Sequence, residues 1–500
     1  MTLASALNIA NSSFRAIGAQ SANIASNIAN ANTPGYSNEV ANLATTSYNG
    51  VMVFSITRDA NAALAAQVQG ATSDSAMQSA VSTGIATLAQ TVSDSSSSTS
   101  TGALSNGASP SAMIANLQSA LTTYEAAPNN LASAQAAVAA ASTLAASLNS
   151  ASHTVAQVRT QADSQIAQDV SSVNSLLTQF QTVNNSIISG QGTGANIGTL
   201  QDQRDQLVAQ LSKYMGVSTS INSNGSMAIF TDSGSTLFQT APYKLTFQAS
   251  GSLGPSMSGN QVLVNGVPIT GASANTPIQS GEIAGLVKLR DTVAPQYQSQ
   301  LDQIAGGLIS AFQETDQSAT NTGLPPQPGL FTAPGLTSVP NSSNFTGLAT
   351  SIQVNAAADP AQGGTPTLLR DGGISDTSNI DYTYNSTGQT GYTGRLQLLI
   401  SALGAAMSFS SAGGLPTGTS LTGYAQASVS WVQAANQTAS SNTTYQQSLL
   451  SQASSALSNA TGVNLDSELT NMLTIESSYT ASAKLLTAAN SMLQSLLTAV

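Results

Sequence analysis

The sequence contains no cysteine, which excludes disulfide bridges, thiolate metal sites and cysteine nucleophiles. Its single histidine, His153, stands in an Ala- and Ser-rich segment with no second imidazole nearby, so we expect a surface side chain. Residues 217–280 carry only Asp232 and Lys244 as charged groups, too few for acid–base catalysis. Residues 192–198 lack the Lys-Ser/Thr ending of a phosphate-binding loop. The sequence therefore predicts no enzyme, no cofactor and no metal site.

Charged residues are also scarce, at 7% of the chain against roughly 25% in ordinary globular proteins. The net charge of −11 argues against binding to nucleic acid or to an anionic membrane surface. Residues 1–10 lack the basic and apolar regions of a secretory signal peptide, and no apolar run reaches the length of a membrane span. We therefore expect no nucleic-acid partner and no membrane insertion.

Apolar residues repeat with heptad spacing at both ends of the chain. The N-terminal row is Leu3, Leu7, Ala10, Phe14, Ile17, Ser21, Ile24, Ile28 and Ala31. The C-terminal row is Leu465, Leu469, Met472, Glu476, Tyr479, Ala483, Leu486, Asn490, Leu493, Leu497 and Val500. One such row is typical of an amphipathic helix on a core, but two rows at opposite ends favour coiled-coil packing between subunits. The polar Glu476 and Asn490 would fix the register of that packing.

The middle of the chain changes pattern several times. Pro34-Gly35 ends the first helix, and the pattern then predicts extended residues at 37–58 and mainly helix at 61–215. From 217 to 280 the apolar period is two, with Asn-Gly and Ser-Gly pairs as hairpin signals. Helix resumes at 281–312, where Pro295 predicts a kink.

These patterns predict a mainly α fold with β insertions. Terminal coiled-coil helices and a helical body built from both chain ends would carry protruding β-rich modules. The predicted divisions are 1–36 (N-terminal coiled-coil helix and turn), 37–216 (first part of the body), 217–280 (β-rich insertion), 281–319 (second part of the body), 320–393 (irregular and β insertion), 394–464 (third part of the body) and 465–500 (C-terminal coiled-coil helix). Asp202 and Asp205, at a helix start, are expected to be caps and partners of the helix dipole; local ion pairs with Arg204 are the other option and contribute only ~0–1 kcal/mol when exposed.

Several segments resemble a known family. Residues 27–37, NIANANTPGYS, are similar to the N-terminal signature of flagellar rod, hook and hook-associated proteins, and residues 468–497 resemble the paired C-terminal signature. Residues 200–208 (LQDQRDQLV), 281–286 (GEIAGL) and 369–372 (LRDG) resemble the hook-associated members at the hook–filament junction. The resemblance covers nearly the whole length, although Asn38 stands where the family would place a basic residue.

The resemblance implies a secreted, extracellular structural subunit of the bacterial flagellum at the hook–filament junction. Such a subunit is held by an export chaperone, leaves unfolded through the type III export apparatus and self-assembles. Its partners would be copies of itself in a ring, the hook protein and the second hook–filament junction protein. The self-assembly residues would be Leu3, Leu7, Phe14, Ile17, Ile24, Ile28, Asn32, Thr33, Pro34, Gly35, Tyr36, Leu469, Met472, Tyr479, Leu486, Asn490, Leu493 and Leu497. The alternatives are another flagellar axial subunit and a secreted adhesin-like binding module.

Overall fold

The computed structural model describes residues 3–46, 50–93, 109–193, 195–318 and 323–498. The helices are α1 (Leu3–Asn30), α2 (Ala62–Ala89), α3 (Pro110–Ala126), α4 (Leu131–Thr193), α5 (Gly198–Tyr214), α6 (Glu282–Lys288), α7 (Ala294–Ala311), α8 (Leu348–Ser351), α9 (Leu368–Asp371), α10 (Gly394–Gly404), α11 (Leu421–Thr461) and α12 (Leu465–Thr498). The strands are β1 (Glu39–Thr45), β2 (Val51–Arg58), β3 (Val217–Ile221), β4 (Met227–Thr231), β5 (Thr236–Phe238), β6 (Leu245–Thr246), β7 (Leu263–Val264), β8 (Val267–Pro268), β9 (Phe331–Thr332), β10 (Gln353–Val354), β11 (Ala406–Ser408) and β12 (Gly418–Ser420). The predicted mainly α fold with inserted β structure is confirmed.

The strands form small antiparallel sheets. These are the hairpin β1–β2, the meanders β3–β4–β5 and β6–β7–β8, and the pairs β9–β10 and β11–β12. The first hairpin runs from the pair Glu39–Arg58 to the pair Thr45–Val51, with a bulge after Asn42. The pair β11–β12 was not predicted, because its three-residue strands are too short to show a period of two.

Helix α4 is the spine of the body. Its 63 residues span roughly 95 Å at 1.5 Å per residue, and they contain no proline. One face stays buried along the whole helix and packs against α3, α5 and α7, which leaves a single continuous core. By length and composition alone α4 could cross a membrane, but it is the core helix of this body. Val173, Leu177 and Phe180 on this face are fully buried.

The β-rich region 217–280 shares that core. The rings of Phe180 on α4 and Phe238 on β5 meet edge to face with centroids 4.9 Å apart. The Asn174 amide of α4 forms two hydrogen bonds of 2.9 Å with the backbone of Leu245, as a neighbouring strand would. The prediction of a module that protrudes from the body is therefore wrong for residues 217–280, because their strands cover a face of α4 and share its core.

Buried arginines fasten the loop between β6 and β7 to α4. Arg159 donates hydrogen bonds to the carbonyl oxygens of Gly254 (2.7 Å) and Met257. Arg290 forms a buried ion pair of 2.5 Å with Asp163 and donates to the carbonyl of Asn260 at 2.9 Å. Because neither guanidinium reaches water, each depends on these acceptors. The insertion is thus held by its loop as well as by its strands.

The predicted irregularity near Pro295 takes the form of a π-helical turn. Residues Leu289–Val293 join α6 to α7, and Pro295 lies in the first turn of α7. A proline lacks an amide hydrogen and clashes with the carbonyl four residues earlier, so regular α geometry fails just before it. Residues 93–110 are rich in Ser and Gly, and most of them lie outside the described residues. The last of them, Pro110, begins α3, where Ser109 caps the helix through the Ala112 amide at 3.3 Å.

Candidate assembly site

The two ends of the chain pack against each other as α1 and α12. The rings of Phe14 and Tyr479 meet edge to face with centroids 5.2 Å apart. The hydroxyls of Ser13 and Ser482 are hydrogen-bonded at 2.8 Å. These contacts place the middle of each terminal helix beside the other within one subunit.

The face of α1 agrees with the sequence prediction. Ile17 and Ile24 are buried, and Leu7, Phe14 and Ile28 are half-buried. The side chain of Leu3 lies outside the described residues. The predicted row on α1 therefore forms the surface that meets α12 and the first hairpin.

The face of α12 is shifted relative to the sequence prediction. Its buried row is Glu468, Ser482 and Ala489, with Ile475 half-buried between them at the same spacing of seven. The predicted Leu486 and Leu493 are half-buried beside this row, while Met472 and Tyr479 are largely exposed. Leu469, Asn490 and Leu497 are exposed, so Asn490 does not set the register within the subunit. Within the subunit it is Ser482 that contacts α1, through its hydrogen bond to Ser13, and its small side chain lets the two helices approach closely.

The shift leaves a band of apolar side chains uncovered on α12. We call Leu465, Leu469, Met472, Leu473 and Tyr479 the α12 band; they are exposed by 46%, 53%, 54%, 66% and 54%. Their spacing places them along one side of the helix next to the row that faces α1. A contiguous exposed apolar band on a folded protein marks an interaction surface.

The turn after α1 is exposed but tightly determined. Asn32, Thr33, Pro34 and Gly35 are exposed, and Gly35 has φ +77°, a conformation that L side chains rarely adopt. The Gln206 side chain of α5 donates to the carbonyl of Pro34 at 3.0 Å. We call the paired helices α1 and α12 the terminal coil. The turn therefore fixes the point at which the chain leaves the terminal coil and enters the body.

Tyr36, Asn27 and Glu39 lock α1 to the first strand. The Tyr36 hydroxyl donates to Asn27 Oδ1 at 2.8 Å, and burial raises the pKa of Tyr36. Asn27 also accepts from the Glu39 amide at 3.0 Å and donates to the Glu39 carbonyl at 2.8 Å. The Glu39 carboxylate lies beside Gly198, at the first turn of α5, where the helix dipole favours an anion.

Arg58 then joins the hairpin to α5. Its guanidinium binds Asp202 at 2.7 Å and Asp205 at 2.5 Å, and Asp202 also accepts from the Ser37 amide at 3.1 Å. Burial lowers the pKa of Arg58, but the two carboxylates outweigh it and raise that pKa overall. The option of local, exposed ion pairs with Arg204 is therefore wrong: Asp202 is buried and pairs across 144 residues of sequence. Arg204 is also buried and donates instead to the Gly225 carbonyl at 2.8 Å.

We call this set of contacts around Tyr36, Glu39, Arg58, Asp202 and Asp205 the joint. Sequence reasoning missed Glu39 and Arg58, although Arg58 is the only Lys or Arg between Arg15 and Arg159. His153 is exposed, and the described residues contain no cluster of His, Asp and Glu that could hold a metal ion. The joint connects the terminal helices firmly to the body.

Comparison with known proteins agrees with this arrangement. The family model for the helical domain of the flagellar hook-associated protein FlgK matches residues 102–329. The model for the C-terminal region of the flagellar basal body rod proteins FlgEFG matches residues 454–499, which include α12.

Relatives with curated names point the same way. Flagellar hook-associated protein 1 of Salmonella typhimurium is 25% identical over 327 residues, 62% of this chain and 56% of that protein. Its counterpart in Bacillus subtilis is 23% identical over 69% of this chain and 67% of its own length. The solved hook junction protein FlgK of Burkholderia pseudomallei superposes over 54% of this chain and 46% of its own, with 25% identity and a TM-score of 0.42. The chain spans little more than half of the Salmonella relative, and its helical region is similar to that of flagellar hook-associated protein 1.

Proposed function

We propose that this chain is a structural subunit of the bacterial flagellum that forms the junction between hook and filament by self-assembly through its terminal helices. The observation that carries the proposal is the α12 band. Its side chains stay exposed although α1 and α12 already pair, so the coil of one subunit is incomplete. Neighbouring subunits supply the missing contacts.

The partners of such a subunit are copies of itself in a ring, the hook protein on one side and the second hook–filament junction protein on the other. The joint supports this arrangement because it fixes the direction of the terminal coil relative to the body. A rigid connection lets every subunit of a ring present its body at the same angle. Nucleic acid is not a partner, because the net charge of −11 repels phosphate.

The subunit reaches its place outside the cell as an unfolded chain, delivered by an export chaperone and the type III export apparatus. A chain without cysteine forms no disulfide that would hinder threading. Apart from the contacts between α1, α12 and the hairpin, the terminal helices bury little surface in the isolated subunit, so α12 is loosely held there and becomes ordered on assembly. The role is structural, with no enzymatic activity.

The alternative axial subunits fit less well. The match at residues 454–499 is to rod proteins, but the longer match at residues 102–329 is to the hook-associated family. An adhesin-like role would place the β-rich region 217–280 on the outside as a separate module, whereas its strands pack on α4.

Substitution of Leu486 or Leu493 by Asp tests the proposal. Both are half-buried on α12, so a carboxylate there opposes helix pairing. We expect cells carrying either variant to keep hooks but to shed filament subunits, while hydrogen exchange shows an intact body. Leu398→Asp, at an exposed position on α10, is the matched control and should leave filaments normal. Normal filaments with both Leu486→Asp and Leu493→Asp would overturn assembly through the terminal helices.

A further inference from the structure

The outer face of the first hairpin carries apolar side chains that nothing in the described part of the chain covers. Val40 and Met52 lie on this face and are exposed by 43% and 47%, and Phe54, the residue of β2 without a partner at the bulge, is exposed by 74%. The inner side of the hairpin lies on α1, where Ser12 Oγ accepts from the Val51 amide at 3.2 Å. A two-stranded hairpin is marginally stable alone, so an uncovered apolar face on it is costly unless a partner covers it.

A single positive charge lies beside this face. Arg15 of α1 is exposed and lines a cleft between α1 and the hairpin together with Asn11, Met52 and Val53. It is the only Lys or Arg before Arg58. No carboxylate of the described residues forms an ion pair with it. The hairpin face is therefore apolar, and Arg15 at its border is a positive charge without an ion-pair partner among the described residues.

The α12 band offers the opposite charge on a surface of similar size. Glu476 is exposed between Leu473 and Tyr479, and it forms no ion pair within the described residues. The band from Leu465 to Tyr479 is roughly 21 Å long at 1.5 Å per residue. The eight residues of β2 extend over roughly 26 Å at 3.3 Å per residue. Since both faces are exposed in the same subunit, they do not cover each other within it.

We propose that the hairpin face of one copy receives the α12 band of the next copy, with Arg15 pairing to Glu476 across the contact. This inference rests on the self-assembly proposed above and names the surfaces that meet. The two surfaces are different, so the contact is head-to-tail and repeats around a ring or helix instead of closing as a two-fold dimer.

Charge reversal tests the pairing in cells whose only copy of the gene carries the variant. Arg15→Glu and Glu476→Arg each place like charges opposite one another, and we expect each to reduce filament-bearing hooks about tenfold. The double variant restores the pair with its polarity exchanged and should return the count to within about twofold of the original. Lys288→Glu, exposed on α6 of the body, changes the net charge as Arg15→Glu does and should have no effect. Failure of the double variant to rescue would overturn the pairing.

Site-specific cross-linking tests the faces themselves, because the chain has no natural cysteine. Subunits carrying Met52→Cys are assembled together with subunits carrying Leu473→Cys and then oxidised. We expect a dimer that joins position 52 of one copy to position 473 of another, and no dimer with Ile380→Cys, which replaces a side chain exposed by 72% elsewhere. Cross-links of 52 to 52, or none in a normal assembly, would overturn the contact and leave self-assembly standing. Loss of all self-association in the unmodified chain would instead overturn the proposed function.

Discussion

Removing the Arg58 side chain tests whether the joint holds the terminal coil on the body. In Arg58→Ala the carboxylate of Asp202 keeps its buried place but loses its cation. An ion left buried without its partner costs about 3–5 kcal/mol. The joint can relieve this cost by opening, which separates the hairpin from α5 and lets water reach Asp202. We therefore expect the free energy required to open the joint to fall by nearly 3–5 kcal/mol in Arg58→Ala.

Amide hydrogen exchange measures this opening directly. The amide of Ser37 is bonded to Asp202 and the amide of Asn38 to the carbonyl of Thr461, so both are protected only while the joint is closed. A loss of 3–5 kcal/mol corresponds to exchange roughly 10²–10⁴-fold faster at these two amides. The amides of α4 should exchange at their original rate, because the core does not depend on Arg58.

Two further variants sharpen the result. Asp205→Asn removes the more exposed partner, whose side chain is 38% accessible, and should accelerate exchange by about tenfold at most. Arg58→Lys keeps the positive charge, but a single ammonium cannot bind both carboxylates as the guanidinium does. Its acceleration of amide exchange should therefore lie between those of Asp205→Asn and Arg58→Ala. Exchange of Ser37 and Asn38 at the original rate in Arg58→Ala would refute the reasoning, since the ion pair would then contribute nothing to the joint.

Two other outcomes are expected from the body. Burial raises the pKa of Asp169 to about 6, so the folded state binds its proton more tightly than the unfolded state, and stability is lost as the pH rises from about 4 to about 6. Asp169→Asn should remove that loss and stabilise the protein by at most about 3 kcal/mol at pH 7.5 but not at pH 3.5; equal effects in denaturant titrations at both pH values would contradict this. A methyl group at Gly84 would collide with Leu289, whereas Gly70 on the same helix has open space around it. Gly84→Ala should lower the melting temperature by the equivalent of about 1–3 kcal/mol, and Gly70→Ala should raise it by the equivalent of about 0.5–1 kcal/mol; a reversed order would show that α2 does not pack closely on the π turn.

Periodicity predicted the helices well because helical burial repeats locally. The rows ending at Ile28 and beginning near Leu465 belong to the observed α1 and α12, and the change of period at residue 217 marks the first strand after α5. The unbroken length of α4 could also have been read from the sequence, since no proline or glycine occurs between Leu131 and Ser189. Local pattern was enough for these elements.

The contacts between segments that are distant in sequence could not be predicted from local sequence patterns. Arg58 pairs with residues 144 and 147 positions later, and nothing near Arg58 in the sequence indicates a carboxylate. The packed face of α12 was misplaced for a related reason. A search for apolar rows favours Leu469 over Glu468, but the close approach of α1 selects the side that carries Ser482 and Ala489. An apolar row in the sequence therefore indicates that a helix face packs against another surface. It does not indicate whether that surface belongs to the same subunit or to a neighbouring one.

The few charges of this chain lie mostly where segments distant in sequence meet. Arg159, Arg204, Arg290 and Arg395 are among the largest fully buried side chains, although charged residues form only 7% of the chain. Replacing a buried ion pair by apolar residues is often neutral for stability, so stability alone does not explain these arginines. The position of their partners gives a better explanation. Arg290 binds Asp163 on α4, and Arg395 on α10 binds the buried carboxylate of Glu314, which follows α7, at 2.8 Å. A misplaced segment would leave such a charge buried without a partner, so these pairs select one arrangement of the body. The ring of identical subunits proposed above depends on that uniformity.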